Sequence, residues 1–217
     1  GWVDVDLSDK GVKEAEKSGE LIKKLNIKIN ISYTSYLKRA IKTLTTILQK
    51  NNLELKFNTA WQLNERHYGS LTGLNKEETK KKIGDKQFKK YRRSWDVPPP
   101  PMPDDSKYLS NFSPLNSSIP AGMIPFSESL KNTYERVIPF YEKEIKKNLI
   151  NGKNVLISAH GNSLRALCKF LFKISDVKIN EFEIPTGNPL VIELNDKLEI
   201  IKYYYLDDQR AKNLIVN

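Results

Sequence analysis

The sequence predicts an α/β protein: a three-layer sandwich whose mostly parallel central sheet is flanked by helices and carries one antiparallel edge strand. Three observations predict it. Short apolar runs alternate with segments of helical period through most of the chain. The run at 155–158 ends in Ala159, His160, Gly161 and Asn162, ahead of a further helical segment. That is the pattern of a strand delivering polar groups to its C-terminal tip. Two β-rich runs at 189–194 and 199–205, joined at Asn195-Asp196, read as an antiparallel hairpin at the end of the chain.

Residues 1–9 read as irregular. Ser8 is a candidate N-cap for a helix running to about Leu25, with Val12, Ala15, Gly19 and Ile22 on one face. A strand comes next at 29–33, then a Thr34-Ser35 turn with Ser35 as N-cap. The next helix places Leu37, Ile41, Leu44 and Leu48 at helical spacing and stops near Lys50. Residues 55–59 form another strand candidate. The segment 64–76, NERHYGSLTGLNK, mixes charge, rings and two glycines without a period, as a shaped loop does.

Asn75 with Glu78 marks a helix start, Gly84 breaks that helix, and 85–95 resumes as another. Four prolines at 98–101 force an extended backbone. Residues 102–124 are too long for an idle connection and read as a lid or flap. Leu130, Tyr134, Val137, Tyr141 and Ile145 define the next helix, with a kink expected at Pro139. The 155–158 strand and a helix through 164–172 come next, and 183–187 is a polar junction before the hairpin.

The 217 residues suffice for one domain with its own core. The only cysteine, Cys168, leaves no intramolecular disulfide and reads as a small buried hydrophobe in a reducing compartment. No apolar run approaches the roughly 20 residues of a membrane span, and no segment reads as a signal peptide. A cytoplasmic location is therefore expected. The net charge of +10 raises nucleic acid, an acidic membrane surface or a small anion as partners. Most of the excess is scattered lysine, and Tyr203, Tyr204 and Tyr205 do not make a stacking platform, so neither nucleic acid nor membrane is expected. The few arginines say more, because a planar guanidinium suits bidentate binding of phosphate or carboxylate. Two separated histidines and one cysteine give no compact metal-ligand pattern, and neither a P-loop nor a GxSxG elbow is present.

His160 sits where small neighbours and a helix N-terminus favour an anion, or it is a core histidine satisfied by backbone. Asn162 and Ser163 serve the same anion or cap the helix. Arg39 lies in a first helical turn, against the dipole, and meets an anion or a surface carboxylate. Glu65, Arg66, His67 and Tyr68 form the densest polar cluster, either an acid/base with anion-binding partners or an ion-pair network supporting the loop. Arg92 and Arg93 are adjacent, and both reach one ligand only from a helix end or a loop.

Several stretches together resemble the cofactor-dependent (2,3-bisphosphoglycerate-dependent) phosphoglycerate mutases of the histidine phosphatase superfamily. They are GWVDVDLSDKG at Gly1, YTSYLKRAIKT at Tyr33, WQLNERHYGSLTGLNKEE at Trp61, YRRSWDVPPP at Tyr91, PFSESLKNTYERVIPF at Pro125, SAHGNSLRAL at Ser158 and IPTGNPLVIEL at Ile184. The resemblance implies interconversion of 3-phosphoglycerate and 2-phosphoglycerate by ping-pong exchange. A phosphohistidine enzyme would be primed by 2,3-bisphosphoglycerate, with no metal, in a homodimer or homotetramer. It makes His160 the second histidine beside the phosphohistidine, Glu65 the general acid/base and Arg39 a ligand of the phosphoryl group. It makes Gly1, Arg66, Tyr68, Lys76, Arg92, Arg93, Gly161 and Asn162 substrate-binding positions, and leaves His67 structural. A bisphosphoglycerate synthase or phosphatase would use the same site.

One part of the family pattern is not among these residues. The family begins with a strand ending in Leu-x-Arg-His-Gly-Glu-Ser, whose histidine carries the phosphoryl group, and neither His67 nor His160 matches it. The expectation is a longer polypeptide with that strand upstream of Gly1. A genuinely shortened homologue would instead be a non-catalytic anion-binding protein.

Overall fold

Three parallel strands occupy the centre of the molecule. The structure is a computed structural model that describes residues 1–112, 114–120 and 122–211. In it β1 (Ile31–Thr34), β2 (Asn58–Thr59) and β3 (Val155–Ser158) pair in the order β2-β1-β3. The register sets Thr34 against both Thr59 and Ser158. The C-terminal tips of β1 and β3 therefore end side by side, and the segments leaving those two tips are neighbours.

Helices cover both faces. On one, α1 (Asp9–Lys24) packs against α2 (Lys38–Lys50), and α2 contacts β1 and β3. Ser8 caps α1 as expected, its hydroxyl accepting from the Gly11 N–H at 3.2 Å. The apolar spacing in α2 buries Ala40, Leu44, Ile47 and Leu48. The expected Ser35 cap of α2 is not formed. The Ser35 hydroxyl accepts from the Leu37 N–H at 3.1 Å, and the Lys38 N–H donates instead to the Asp4 carboxylate at 2.7 Å. A carboxylate from the N-terminal segment suits the positive end of the helix better than a neutral hydroxyl.

Two short helices, α3 (Lys76–Ile83) and α4 (Asp85–Arg93), lie on the chain between the site loop and the proline run. Asn75 caps α3 by accepting from Glu77 and Glu78 N–H groups. On the second face, α5 (Leu130–Phe140) packs against the last long helix of the chain. After Pro139 a π-turn over Tyr141–Ile145 leads into α6 (Lys146–Ile150). The proline removes one helical donor, and the wider turn accommodates the mismatch. The last helix, α7 (Gly161–Leu171), begins immediately after His160. The residues expected to form a turn there are its first turn, because the His160 N–H donates to the Ser163 hydroxyl and that hydroxyl donates back to the His160 carbonyl.

The main core lies under this face. Tyr33 and Leu63 join Leu130, Val137, Tyr141, Ile145, Ala166, Leu167, Ile179 and Phe182, with Val155 and Ile157 packed against them. Each fully buried aliphatic side chain there stabilises the fold by about 1.5–3 kcal/mol. Ser158, alternating with Ile157, faces the other way and donates to the Ala40 carbonyl in α2.

β4 (Leu190–Leu194) and β5 (Ile200–Tyr205) form the expected hairpin. The antiparallel component is thus a two-stranded sheet of its own rather than a single strand on the edge of the central sheet. β4 pairs with β5 alone, and no described residue pairs it to β3. The second strand expected at 55–59 shrinks to two exposed residues, because Leu55 lies open to solvent at the sheet edge. The 102–124 flap, of which residues 113 and 121 lie outside the described set, is tied down. The Asp4 N–H donates to the Asn111 carbonyl, Val3 bridges Phe112, and Trp2 is fully buried against Trp61, His67 and Phe112.

Candidate active site

The adjacent tips of β1 and β3 assemble the site. Ser35, just past β1, is fully buried, and its Oγ lies 2.7 Å from Nε2 of His160, just past β3. His160 is itself buried. Burial foremost, and then the Arg39 guanidinium, press its pKa down from 6.5 to about 3, so the imidazole is neutral at pH 7. At Nε2 the ring meets a side chain, Ser35, rather than backbone.

Glu65 approaches the same point from the 64–76 loop. Its Oε1 accepts from the Arg66 N–H at 2.7 Å and from the Asn162 N–H in the first turn of α7 at 3.3 Å. Burial raises its pKa, but the cationic forms of His160 and of the Gly1 amino group, together with these two backbone donors, outweigh burial and hold the carboxyl below its usual value. A Cβ on Gly161 would lie 4.0 Å from the other oxygen, Oε2, with nothing nearer. Gly161 itself is exposed, so the space above Oε2 opens to solvent.

Asn162 organises the neighbouring wall. Its Nδ2 donates to the Tyr68 hydroxyl at 3.1 Å, and its Oδ1 accepts from Arg165 at 2.9 Å. The Arg66 and Arg92 guanidiniums both lie over the Tyr68 ring, 4.8 Å and 5.3 Å from its centroid. Arg39 reaches across from α2 and donates to the carbonyls of Val3 at 2.9 Å and Gly1 at 2.8 Å. It is neither a surface ion pair nor an isolated cation. Gly1 is pressed onto this wall, where a Cβ would come within 3.1 Å of the Arg66 carbonyl and the Tyr68 ring.

The fold thus brings Gly1, Arg39, Glu65, Tyr68, Arg92, His160, Gly161 and Asn162 together. Arg66 belongs to the same cluster, but its guanidinium donates to the carbonyls of Tyr91, Glu128 and Arg92. It holds the loop, and its buried Nε has no partner among the described residues. Arg93 pairs with Glu183, and Lys76 is exposed at the start of α3. His67 is structural: its Nδ1 accepts from the Gly69 N–H at 3.0 Å, and its ring packs between Trp2 and Phe112. Burial pushes its pKa down to about 4. Ser35 is a site residue that sequence reasoning misses. The signal for it is the parallel pairing, which makes the residue after β1 a neighbour of the residues after β3.

The arrangement can bind a small anion and move a proton. Arg39 and Arg92 supply positive charge, His160 a neutral imidazole, and Glu65 an ionised acceptor. Among the described residues no group of three or more His, Cys, Asp or Glu side chains could hold a metal ion, and no helix is long and apolar enough to cross a membrane.

Sequence comparison adds the family. A sequence profile of the histidine phosphatase superfamily (branch 1) matches residues 1–206. A 2,3-bisphosphoglycerate-dependent phosphoglycerate mutase of Pelagibacter ubique is 52% identical over 216 residues, covering 100% of this chain and 91% of that protein. Enzymes of the same name from Maricaulis maris and Treponema denticola are 49% and 47% identical, covering 99% and 100% of this chain and 89% and 88% of theirs. Among solved structures, a mycobacterial glucosyl-3-phosphoglycerate phosphatase superposes with a TM-score of 0.67 at 18% identity, over 94% of this chain and 87% of that one. The alpha-ribazole phosphatase of Shigella flexneri gives 0.60 at 18% identity, over 93% and 85%. These two establish a shared fold. By the profile match and the identity of its relatives, the chain belongs to the histidine phosphatase superfamily (branch 1).

Proposed function

We propose that this protein is a phosphoglycerate mutase that interconverts 3-phosphoglycerate and 2-phosphoglycerate through a phosphohistidine enzyme primed by 2,3-bisphosphoglycerate. The observation that carries the reading is the convergence of His160, Glu65 and Arg39 on the open N-terminal turn of α7. The curated relatives bear the name of that activity over the whole chain.

The residues fit an anionic primer. Gly161 leaves open space beside Glu65 Oε2, the Arg39 charge is felt at both Glu65 and His160, and the Arg92 guanidinium lies over the Tyr68 ring. When bound, 2,3-bisphosphoglycerate supplies the phosphoryl group that charges the enzyme. The chain's own residues do the rest. Arg39 and the N-terminal end of α7 offset negative charge on phosphoryl oxygens, where fixed cations and dipoles act without reorganising. His160, held by Ser35, presents a neutral imidazole to the same group. Glu65, ionised at neutral pH, accepts the substrate hydroxyl proton at Oε2 and returns it in the reverse direction. Tyr68, Arg92 and Asn162 shape the wall against which carboxylate or phosphate rests, with Arg66 behind them, and Gly1 lets the backbone approach. Lys76 and Arg93 would join on ligand binding, from the exposed positions they hold here.

We infer that the phosphoacceptor histidine lies upstream of Gly1. Support comes from the two histidines in hand, since neither stands in the Arg-His-Gly setting of the family's phosphoacceptor: His67 is followed by Tyr68, and His160 is preceded by Ala159. Each relative also extends beyond the stretch it shares with this chain. The natural polypeptide is then longer than 217 residues and carries an upstream Arg-His-Gly. An intact mass of 25.0 kDa for the natural product would overturn this. We also infer a cytoplasmic homodimer or homotetramer without nucleic-acid or membrane partners. The outer edge of β2 beside Trp61, Met123 and Phe140 supports self-association, which light scattering tests.

The activity is tested on the natural full-length protein with 3-phosphoglycerate. Turnover to 2-phosphoglycerate that depends on 2,3-bisphosphoglycerate supports the reading. Net hydrolysis of 2,3-bisphosphoglycerate exceeding that turnover would make the protein a phosphatase, and unprimed turnover requiring manganese would exclude the proposed route.

A further inference from the structure

We propose that Arg136, gripped by Glu128, is a positioning residue for Glu65: it fixes the backbone of the 62–67 loop so that the Glu65 carboxylate meets the first turn of α7 beside His160. The proposal deepens the mutase reading and takes from it the role of Glu65 in proton transfer.

Arg136 projects from α5 into the interior, where it and Glu128 are 9% and 3% exposed. The pair is bidentate, with Nε on Oε1 at 2.6 Å and Nη2 on Oε2 at 2.9 Å. The remaining donors go to one loop. Nη1 donates to the carbonyls of Gln62 at 2.6 Å and Asn64 at 3.1 Å, and Nη2 donates to the carbonyl of Glu65 at 3.1 Å. All five guanidinium N–H groups are used, in the fork that only arginine offers.

Glu128 closes the bracket from the other side. Its Oε2 also accepts from the His67 N–H at 2.8 Å, its own N–H donates to the His67 carbonyl, and its carbonyl accepts from Arg66. The loop is therefore held at Gln62, Asn64, Glu65, Arg66 and His67. Asn64 carries the bracket on to the strand tip, its Oδ1 accepting from the Tyr36 N–H at 3.0 Å, next to Ser35. Glu65 is thus fixed by its carbonyl on one side and by its Oε1 on the other, where Arg66 and Asn162 donate.

A buried ion pair is weak evidence for stability, since apolar residues of similar volume often serve as well. What an apolar pair could not do is collect three carbonyls of the segment that carries Glu65. The Arg136 charge is also felt at His160 and His67, which places it within the field of the site.

The test uses the natural full-length protein with Arg136→Lys and Glu128→Gln, each compared with wild type by kcat, KM and carbon-13 NMR titration of the Glu65 carboxyl. Lysine keeps the charge and loses the fork. The expected result is a fall in kcat of roughly tenfold to a hundredfold. KM should stay within about threefold, the split expected when alignment rather than binding is lost. The Glu65 titration should move upward as its donors loosen. In a Glu65→Gln background, Arg136→Lys should cost less than about twofold, because the two residues act as one unit. A folded Arg136→Lys protein with unchanged kcat and unchanged Glu65 titration would overturn the proposal, as would costs that simply multiply in the double variant. Should Arg136→Lys fail to fold, Glu128→Gln carries the same comparison. The NMR arm also separates the two ideas. Wild type that leaves 3-phosphoglycerate unchanged defeats the mutase reading, while a Glu65 titration that tracks the Arg136 substitution still supports the bracket.

Discussion

Replacing His160 with alanine separates its chemistry from its packing. At pH 7 the imidazole is neutral, because burial holds its pKa at about 3. The substitution therefore deletes a neutral donor and not a charge. Losing one such donor to a transferring group lowers kcat by about 10²–10³-fold, or roughly 3–4 kcal/mol. The structural cost is smaller. One hydrogen bond to Ser35 is lost, while the backbone exchange with Ser163 that caps α7 remains. A loss of about 1–3 kcal/mol leaves the protein folded, against a total of roughly 5–15 kcal/mol. The pH dependence has a definite sign. Below pH 6.5 the unfolded chain binds a proton here that the folded chain refuses until about pH 3, so this residue's contribution to stability rises with pH across that window. At pH 5.5 the wild type has lost about 1.4 kcal/mol through His160 relative to pH 7.5, and the variant has not. His67 behaves alike in both proteins and cancels. Urea unfolding of wild type and variant at the two pH values should show the stability gap between them narrowing by that amount at pH 5.5. A gap independent of pH would refute the buried neutral imidazole, and retained turnover would remove His160 from the site.

Three further outcomes are expected. Glu65→Gln should lower kcat by about 10²–10⁴-fold and abolish an acid limb that in wild type lies below the ordinary glutamate range; a residual limb at the same pH would assign the proton to another group. Gly69 has φ +55°, and a Cβ there would come within 2.1 Å of the Pro100 carbonyl, so Gly69→Ala should destabilise the fold by about 2 kcal/mol or more in urea unfolding, and an unshifted midpoint would contradict the observed loop. Burial pushes the Cys168 thiol up to about 12, so Ellman's reagent should leave it untouched in the native protein at pH 8 and titrate it fully in denaturant; rapid native labelling would show that the core packed against α7 does not cover it.

The features legible in the sequence are those that depend on neighbours in the chain. The apolar spacing of α2, the Ser8 cap and the run 155–158 ahead of His160 each report a local preference, and each element forms. The family motifs extend that reading to Glu65 and Arg39. Contacts that join distant parts of the chain leave no such trace. Asp4 caps α2 from 34 residues away, Ser35 meets His160 across 125, and Arg136 reaches Gln62 across 74. Ser35 reads as an N-cap because serine before a helix usually is one. Arg136 lies between Glu135 and Val137, where a charged residue in an amphipathic helix ordinarily faces water. Only the tertiary structure shows it turned inward. The extent of β2 departs from expectation for a different reason: Phe57 and Thr59 favour a strand, but the sheet edge leaves Leu55 exposed to solvent.

The most direct measurement is phosphorus NMR of 3-phosphoglycerate incubated with the natural full-length protein, with and without catalytic 2,3-bisphosphoglycerate and without added metal. The account predicts the 2-phosphoglycerate signal growing only in the primed sample, to the same equilibrium ratio from either substrate. Inorganic phosphate as the main product, or no change in the primed sample, would contradict it.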